Sequence, residues 1–370
     1  MLTKADDYPI HQTPEPIAYS GTDRNFYDRY FFNGYHREGD LFFAAALGVY
    51  PHLNIMDAAF CVISGGKQYN VHASKVLHME RLDTRVGPIE VEVIEPLQVL
   101  RVTCKDEENG IEADICFSAR TAAVEEPRFT RRVGAMTFMD YTRLTQNGTY
   151  DGWLMVNGER HELTRAETWG TRDRSWGIRG VGDRDTQVNP YASDPQFFWL
   201  WAPVNFDNCA SFYHLNADAA GKPWNSMGRI VGADDSVAPA EEMATTSSHL
   251  DYRSGSRIAR AANLEFNRDN GSRTSIRLTS QQTFYMRGLG YMHPDWGHGQ
   301  YKGELATGFE VYDLDTISPA DPGYFHIQAI CAAEMTGPEG STLRGKGILE
   351  QLVVGAYEPY GFKGLFDVYP

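Results

Sequence analysis

An all-β chain of antiparallel meanders is what this sequence predicts, on three observations. Apolar and polar residues alternate with period two over several short stretches. Five Asn-Gly pairs punctuate them. Helical periodicity is scarce. Period-two alternation marks a half-buried strand, and Asn-Gly suits a type I′ hairpin turn because both residues tolerate positive φ. Long meanders favour up-and-down barrels, whose closure removes exposed sheet edges.

Taken in order, Tyr27-Asp-Arg-Tyr-Phe-Phe32, within Asn25–Asn33, reads as the opening strand. Asp28 within it and His36 beyond it are weaker site candidates. Met56 to Ile63 is ambiguous between helix and strand. Ile89, Val91 and Val93 alternate with Glu90 and Glu92, and Ile111, Ala113, Ile115 and Phe117 alternate with polar or small residues. Leu154, Val156, Asn157-Gly158, His161 and Leu163 predict a hairpin. Alternation resumes over Ser275–Thr279, after Asn270-Gly271. The pairs at 33–34, 109–110 and 147–148 are read as turns on the same ground. Pro239 to Thr246 reads either as a short helix with proline in its first turn or as an ordered loop. Gly, Asp, Asn and Pro cluster over 182–194, just before the apolar run Phe197-Phe-Trp-Leu-Trp-Ala-Pro203. That places a domain boundary there, giving domains 1–188 and 189–370.

Bulk composition narrows the function. The 370 residues, 42% of them hydrophobic and 12% aromatic, suffice for two cores and for aromatic-lined pockets. A net charge of −15 argues against nucleic acid, whose phosphates need a basic footprint, and against an anionic membrane surface. No apolar run reaches the roughly 18 residues of a membrane helix, and Met1–Ser20 has no apolar core of signal-peptide length. Five cysteines without a C-x-x-C pair read as buried thiols in a cytoplasmic protein, with a Cys104–Cys116 cross-strand bridge left open. No G-x-S-x-G, G-x-G-x-x-G or P-loop appears, so neither serine-hydrolase chemistry nor a nucleotide cofactor is expected.

Two segments carry candidate chemistry. Trp169-Gly-Thr-Arg-Asp-Arg-Ser-Trp-Gly-Ile-Arg179 sets one acid, Asp173, among three arginines and two indoles. Either Asp173 is held in a salt bridge and inert, or strand alternation turns the arginines away and leaves it facing an aromatic interior that keeps it protonated. Tyr291-Met-His-Pro-Asp-Trp-Gly-His-Gly299 is a loop that gathers His293, Asp295 and His298 beside Trp296. It has no H-E-x-x-H or paired cysteines to support a metal. Trp199, Trp201, Tyr213 and His214 are read as core or cavity wall.

The segment Arg172-Asp-Arg-Ser-Trp-Gly177 resembles the His-Asp-His-Asn-Trp-Gly motif of the carotenoid 1,2-hydratases (hydroxyneurosporene synthases). These belong to a lipocalin-like superfamily that includes kievitone hydratase and related terpene-alcohol hydratases and dehydratases. The Tyr27–Phe32 and His293–His298 segments look like a bacterial branch of it. The resemblance implies two tandem lipocalin-like antiparallel β-barrels with few short helices. It also implies a cofactor-independent hydro-lyase, with possible isomerase activity, on an alkene or tertiary alcohol of an isoprenoid-like substrate. The family's acid maps to Asp173 and its indole to Trp176. The chain departs at Arg172, Arg174 and Ser175, where the motif has His, His and Asn, so an imidazole would have to come from His293, His298 or His214. The expected roles are Asp173 as general acid; His293, Asp295 and His298 positioning water or hydroxyl; and Trp176, Trp199, Trp201, Tyr213 and His214 shaping the cavity. No metal, nucleic acid or membrane insertion is expected. The alternatives are a cyclase or pericyclase of the same fold, or a non-enzymatic carrier of a hydrophobic ligand.

Overall fold

The computed structural model describes residues 3–11, 23–183, 195–234 and 240–370. Among these there are strands and short 3₁₀ turns but no α-helix, so no helix is long and apolar enough to cross a membrane. The chain divides into two compact units, 1–191 with 287–315, and 192–286 with 316–370. The expectation was two consecutive domains, 1–188 and 189–370. The segment carrying His293, Asp295 and His298 therefore belongs to the first unit, although it lies far along the chain.

The first unit is a fourteen-stranded antiparallel sheet. Its main order runs Leu305–Asp313, Lys67–Val76, Ile55–Ser64, Phe42–Tyr50, Phe26–His36, Thr168–Ile178, Met136–Val156, Ile111–Ala119, Val99–Asp106, Ile89–Glu95 and Arg85–Val86. One face is apolar along the whole order. Tyr30, Phe32, Phe43, Val71, Ile89, Val102 and Phe117 share one buried core. Strands from both ends of the order meet in that core, so the sheet curls over it. The ladders among the described residues nevertheless leave the sheet unclosed. The second unit is a ten-stranded antiparallel sheet with Phe197–Trp201 and Thr342–Val354 at its centre.

Alternation located several strands. The stretches at 89–93, 111–117 and 275–279 lie in strands, 154–163 is a hairpin with strand on either side of 157–158, and the ambiguous 56–63 stretch lies in the strand Ile55–Ser64. The helix option at Pro239–Thr246 is corrected: Pro239 lies outside the described residues, and beyond it the chain forms Glu241–Glu242 and enters Thr245–Tyr252 as strand. Asn157-Gly158 is a turn with positive φ at both residues, and Gly110 and Gly271 also lie at turns with positive φ. Asn33-Gly34 and Asn147-Gly148 are not turns; both lie inside long strands. In register, Gly34, Gly170 and Gly148 stand side by side on three adjacent strands. A Cβ at Gly34 would meet the Phe43 ring at 2.1 Å, at Gly148 the Phe117 ring at 2.3 Å, and at Gly170 the Tyr150 ring at 2.5 Å. These glycines make room for core aromatics laid flat on the sheet. The five cysteines are free. Cys104 pairs in register with Ala113 and Cys116 with Arg101, three residues away, which puts the two thiols on opposite faces.

Candidate active site

The strand Thr168–Ile178 divides its side chains between two faces. Arg172, Arg174 and Trp176 are opposite Phe32, Tyr30 and Asp28 in register and turn toward the core side. Both arginines are fully buried. Arg172 makes a two-pronged bond to Asp7 at 2.5 and 3.2 Å and donates to Gln146 at 2.9 Å. Arg174 pairs with Asp28 and lies 4.0 Å over the Tyr30 ring. Trp176 stacks on His11 at 3.8 Å, and His11 bridges Asp28 at 2.9 Å and Asp6 at 3.0 Å. Burial alone would raise the Asp28 carboxyl, but Arg174 and His11 outweigh it and hold the group below its usual range.

Asp173 and Ser175 point the other way. Asp173 is half-buried, in the electrostatic reach of Arg143 and Tyr27. The arginines do turn away from it, but they occupy the apolar interior and Asp173 does not. Arg143 is itself clamped to Glu126 at 2.8 Å. Burial pushes the Tyr27 hydroxyl up to about 12.

The same outer face carries the 287–304 segment of the first unit. Arg29 and Arg179 lie 5.0 and 5.6 Å from the Tyr291 ring centre and approach His298 Nδ1 at 3.0 and 3.2 Å. Arg29 Nη1 also approaches Nε2, which lies 2.9 Å from the Leu289 carbonyl, so the ring is held between two guanidiniums and a carbonyl. His293 is committed too. Its Nδ1 accepts from the amides of Asp295 and Trp296 at 3.0 and 2.8 Å, and its Nε2 donates to Glu310 at 2.8 Å. Asp295 is exposed and contributes its backbone amide.

His72, His293 and Glu310 place their ligand atoms within 4.8 Å of one another. A metal on His293 Nε2 would need the ring proton on Nδ1, where two amide donors already point. The triad therefore fits a hydrogen-bonded carboxylate better than a cation. Hydrogen bonds from His293 and His72, followed by the field of His293 and a bond from Tyr312, hold Glu310 well below the carboxylate range despite partial burial. Trp296 stacks on His72 at 5.4 Å.

Between these groups lies a small pocket lined by Arg29, Asp57, His72, Leu289, Trp296 and His298, with Gln300 and Lys302 at its rim. Asp57 is its most unusual member. Protein packs around it on every side while part of its side chain opens on the pocket. Burial raises its carboxyl to about 6, against the lowering effects of Arg29, the Gly299 amide, the Tyr50 hydroxyl and Arg179. The Gly299 amide donates at 2.7 Å and Tyr50 at 3.1 Å. Asp57 gave no signal in the sequence, because Met56–Ile63 has neither clear periodicity nor a motif.

The predicted residues thus sort into three groups. Asp173, His293 and His298 share the outer face of the first unit. Trp176 is on its inner face. Trp199, Trp201, Tyr213 and His214 belong to the second unit, where all four are buried. There Trp199 donates to Glu350 at 2.8 Å, Glu350 also holds His326 and Gln328 at 2.8 and 2.7 Å, and His214 bonds Asn225 at 2.8 Å.

The chain belongs to a family of unknown function (DUF8625), which it matches over residues 2–363. No curated protein matches its sequence. Among solved structures, kievitone hydratase from Nectria haematococca is similar at a TM-score of 0.52, with 13% identity over 88% of each chain. An AttH candidate from Nitrosomonas europaea is similar at a TM-score of 0.53, with 12% identity over 92% of this chain and 98% of that one. At these identities the likeness is one of fold.

Proposed function

From a family member with this fold, we propose a hydro-lyase that adds water to an alkene, or removes it from a tertiary alcohol, on a hydrophobic, isoprenoid-like substrate. The observation that carries the reading is Asp57, a carboxyl raised to about 6 and open to a pocket. Hydrating an unactivated alkene requires a proton on carbon, and dehydration requires one on the hydroxyl. A carboxylic acid that keeps its proton near neutral pH can supply either. In dehydration Asp57 protonates the hydroxyl, water leaves, and the carboxylate then takes a proton from the neighbouring carbon. Hydration is the reverse. Ala59, Leu289 and Trp296 line the pocket, which has room for about one water molecule, the reactant that the reaction adds or removes.

Asp57 replaces Asp173 as the first choice of proton donor in this reading. Asp173, on the same face, tunes the field at Tyr27 and Arg143. His298 and His293 hold the pocket's roof through bonds that use both ring nitrogens, and serve as positioning residues. Trp199, Trp201, Tyr213 and His214 pack the second unit. The fold likeness to kievitone hydratase supports the reaction class.

The test is turnover of candidate alkenes and tertiary alcohols in ¹⁸O- and deuterium-labelled water. A hydratase incorporates solvent label, a cyclase changes its substrate without it, and a carrier returns the ligand unchanged. Asp57→Asn should lower incorporation by roughly 10²–10⁴-fold, the range for losing a general acid. Asp173→Asn should cost far less. Full activity in Asp57→Asn would remove Asp57 from the mechanism.

A further inference from the structure

Two rows of paired residues that cross the first sheet prepare the pocket beside Asp57. In one row Arg29, Gly48, Asp57 and Ser74 stand side by side on the strands Phe26–His36, Phe42–Tyr50, Ile55–Ser64 and Lys67–Val76. In the next row Ala46, Ala59 and His72 do the same, and the row ends at Gly308 on Leu305–Asp313. Paired residues project from the same face of an antiparallel sheet, so Arg29, Asp57, Ala59 and His72 share the outer face. The small residues make the hollow. A Cβ at Gly48 would strike the Tyr50 hydroxyl, which bonds Asp57 at 3.1 Å. A Cβ at Gly308 would strike the Trp296 indole that stacks on His72.

Two of the walls carry polar capacity that the described residues do not use. Arg29 is 3% exposed. Its Nη1 and Nη2 are committed to His298 and the Leu289 carbonyl at 3.0 Å each, while its Nε has no hydrogen-bond partner among the described residues. His72 is equally enclosed, and burial lowers its imidazole, so the ring is neutral at neutral pH. Its Nε2 faces Glu310 at 3.4 Å. A neutral ring with its proton on that side keeps an acceptor at Nδ1. A buried N–H without a partner is costly, and a buried water needs roughly two to four polar partners. The pocket offers a donor, an acceptor and the Asp57 carboxyl around a space for about one water molecule.

We propose that Arg29 and His72 hold the reactant water: the Arg29 Nε–H donates to its oxygen, His72 Nδ1 accepts one of its hydrogens, and Asp57 lies within its reach. The inference rests on the reading of Asp57 as proton donor and adds the two residues that fix the other reactant. A water held in this way keeps one lone pair and one O–H free. In hydration the Asp57 carboxyl gives its proton to one alkene carbon, and the free lone pair bonds to the other. The free O–H then returns its proton to the Asp57 carboxylate. Arg29 and His72 end as they began, so the step balances on Asp57 alone. In dehydration the released water leaves into the same place.

Two readouts on the full chain test this. A crystal structure of the wild type should show one ordered water within hydrogen-bond distance of Arg29 Nε and His72 Nδ1. Ala59→Val, which fills the hollow, should lack it. On an alkene or tertiary alcohol that the wild type turns over, Ala59→Val should lower kcat by about tenfold or more and leave KM nearly unchanged. Arg29→Lys, which keeps the charge but loses the Nε–H, should do the same. His72→Gln, which retains an acceptor, should keep more of kcat than His72→Leu. A wild-type pocket without that water, or full kcat in both Ala59→Val and Arg29→Lys, would overturn the proposal. The two readings fail separately. Full activity in Asp57→Asn with the water in place removes only the acid, and lost activity there with no ordered water in the wild type removes only this site.

Discussion

The two faces of Thr168–Ile178 solve the same problem in different ways. Toward the core, Arg172 and Arg174 are enclosed, and each is matched to a carboxylate supplied from far along the chain, Asp7 or Asp28. On the outer face, Asp173 stays half-buried within the field of Arg143 and Tyr27, and the pocket farther along carries an acid whose carboxyl is raised. Enclosure with a matched partner gives rigidity, because breaking either half leaves a naked charge. Enclosure without a matched partner gives a group that can exchange its proton near neutral pH. In the proposed reading, the inner face serves stability and the outer one chemistry.

The largest expected effect tests the inner face. Asp7→Ala strands Arg172 and should cost about 3–5 kcal/mol in denaturant unfolding, the usual loss when one partner of a buried pair is removed. A loss below about 1 kcal/mol would dissolve the contrast. Next comes Gly170→Ala, whose new Cβ would sit 2.0 Å from the Asn33 carbonyl oxygen and 2.5 Å from the Tyr150 ring. It should destabilise by roughly 2–4 kcal/mol, because backbone must move to admit it.

Asp57→Asn should do the opposite. A carboxyl raised from 3.8 to about 6 keeps its proton in the folded chain at pH values where the unfolded chain has lost it. Stability is then fully present below about pH 4 and is lost as pH rises through 6. Asp57→Asn should therefore gain about 2–3 kcal/mol at pH 8 and little at pH 4, read from Tm across that range. In the wild type, kcat/KM for the dehydration should fall as pH rises past about 6, since the acid must be protonated. The smallest effect belongs to Glu310, whose carboxyl is depressed by its histidine bonds. It contributes at neutral pH and loses that contribution on the acid side, below the ordinary glutamate value. Glu310→Gln should cost about 1 kcal/mol at pH 7 after allowing for its partial exposure, and the gap should close toward pH 3.

Local pattern explains what the sequence made legible. Alternation at 89–93, 111–117 and 275–279 found strands because one face of each is apolar, and Asn157-Gly158 found a hairpin because its backbone needs positive φ. Gly34 and Gly148 misled for a nonlocal reason: their use is set by rings on neighbouring strands. Met1–Ser20 offered only the lack of an apolar signal-peptide core, and partners up to 165 residues away turn Asp7 into a core ion. The direction of Asp173 was left open, since alternation places it opposite its arginines but does not say which side the core lies on. Asp57 was invisible because its environment comes from a segment more than 200 residues later.

That late segment has a consequence for the order of events during synthesis. Leu305–Asp313 is an edge strand of the first sheet, paired along Lys67–Val76, and the Arg287–Asp315 stretch supplies the roof over Asp57. The stretch 192–286 of the other unit must leave the ribosome before it. At about 5–20 residues per second, the nascent first unit waits roughly 5–20 s with that edge and pocket uncovered. Its unpaired strand Lys67–Val76 and the pocket residue Ala59 are then open to wrong partners. A nascent chain paused between residues 192 and 286 is the species on which a chaperone would act.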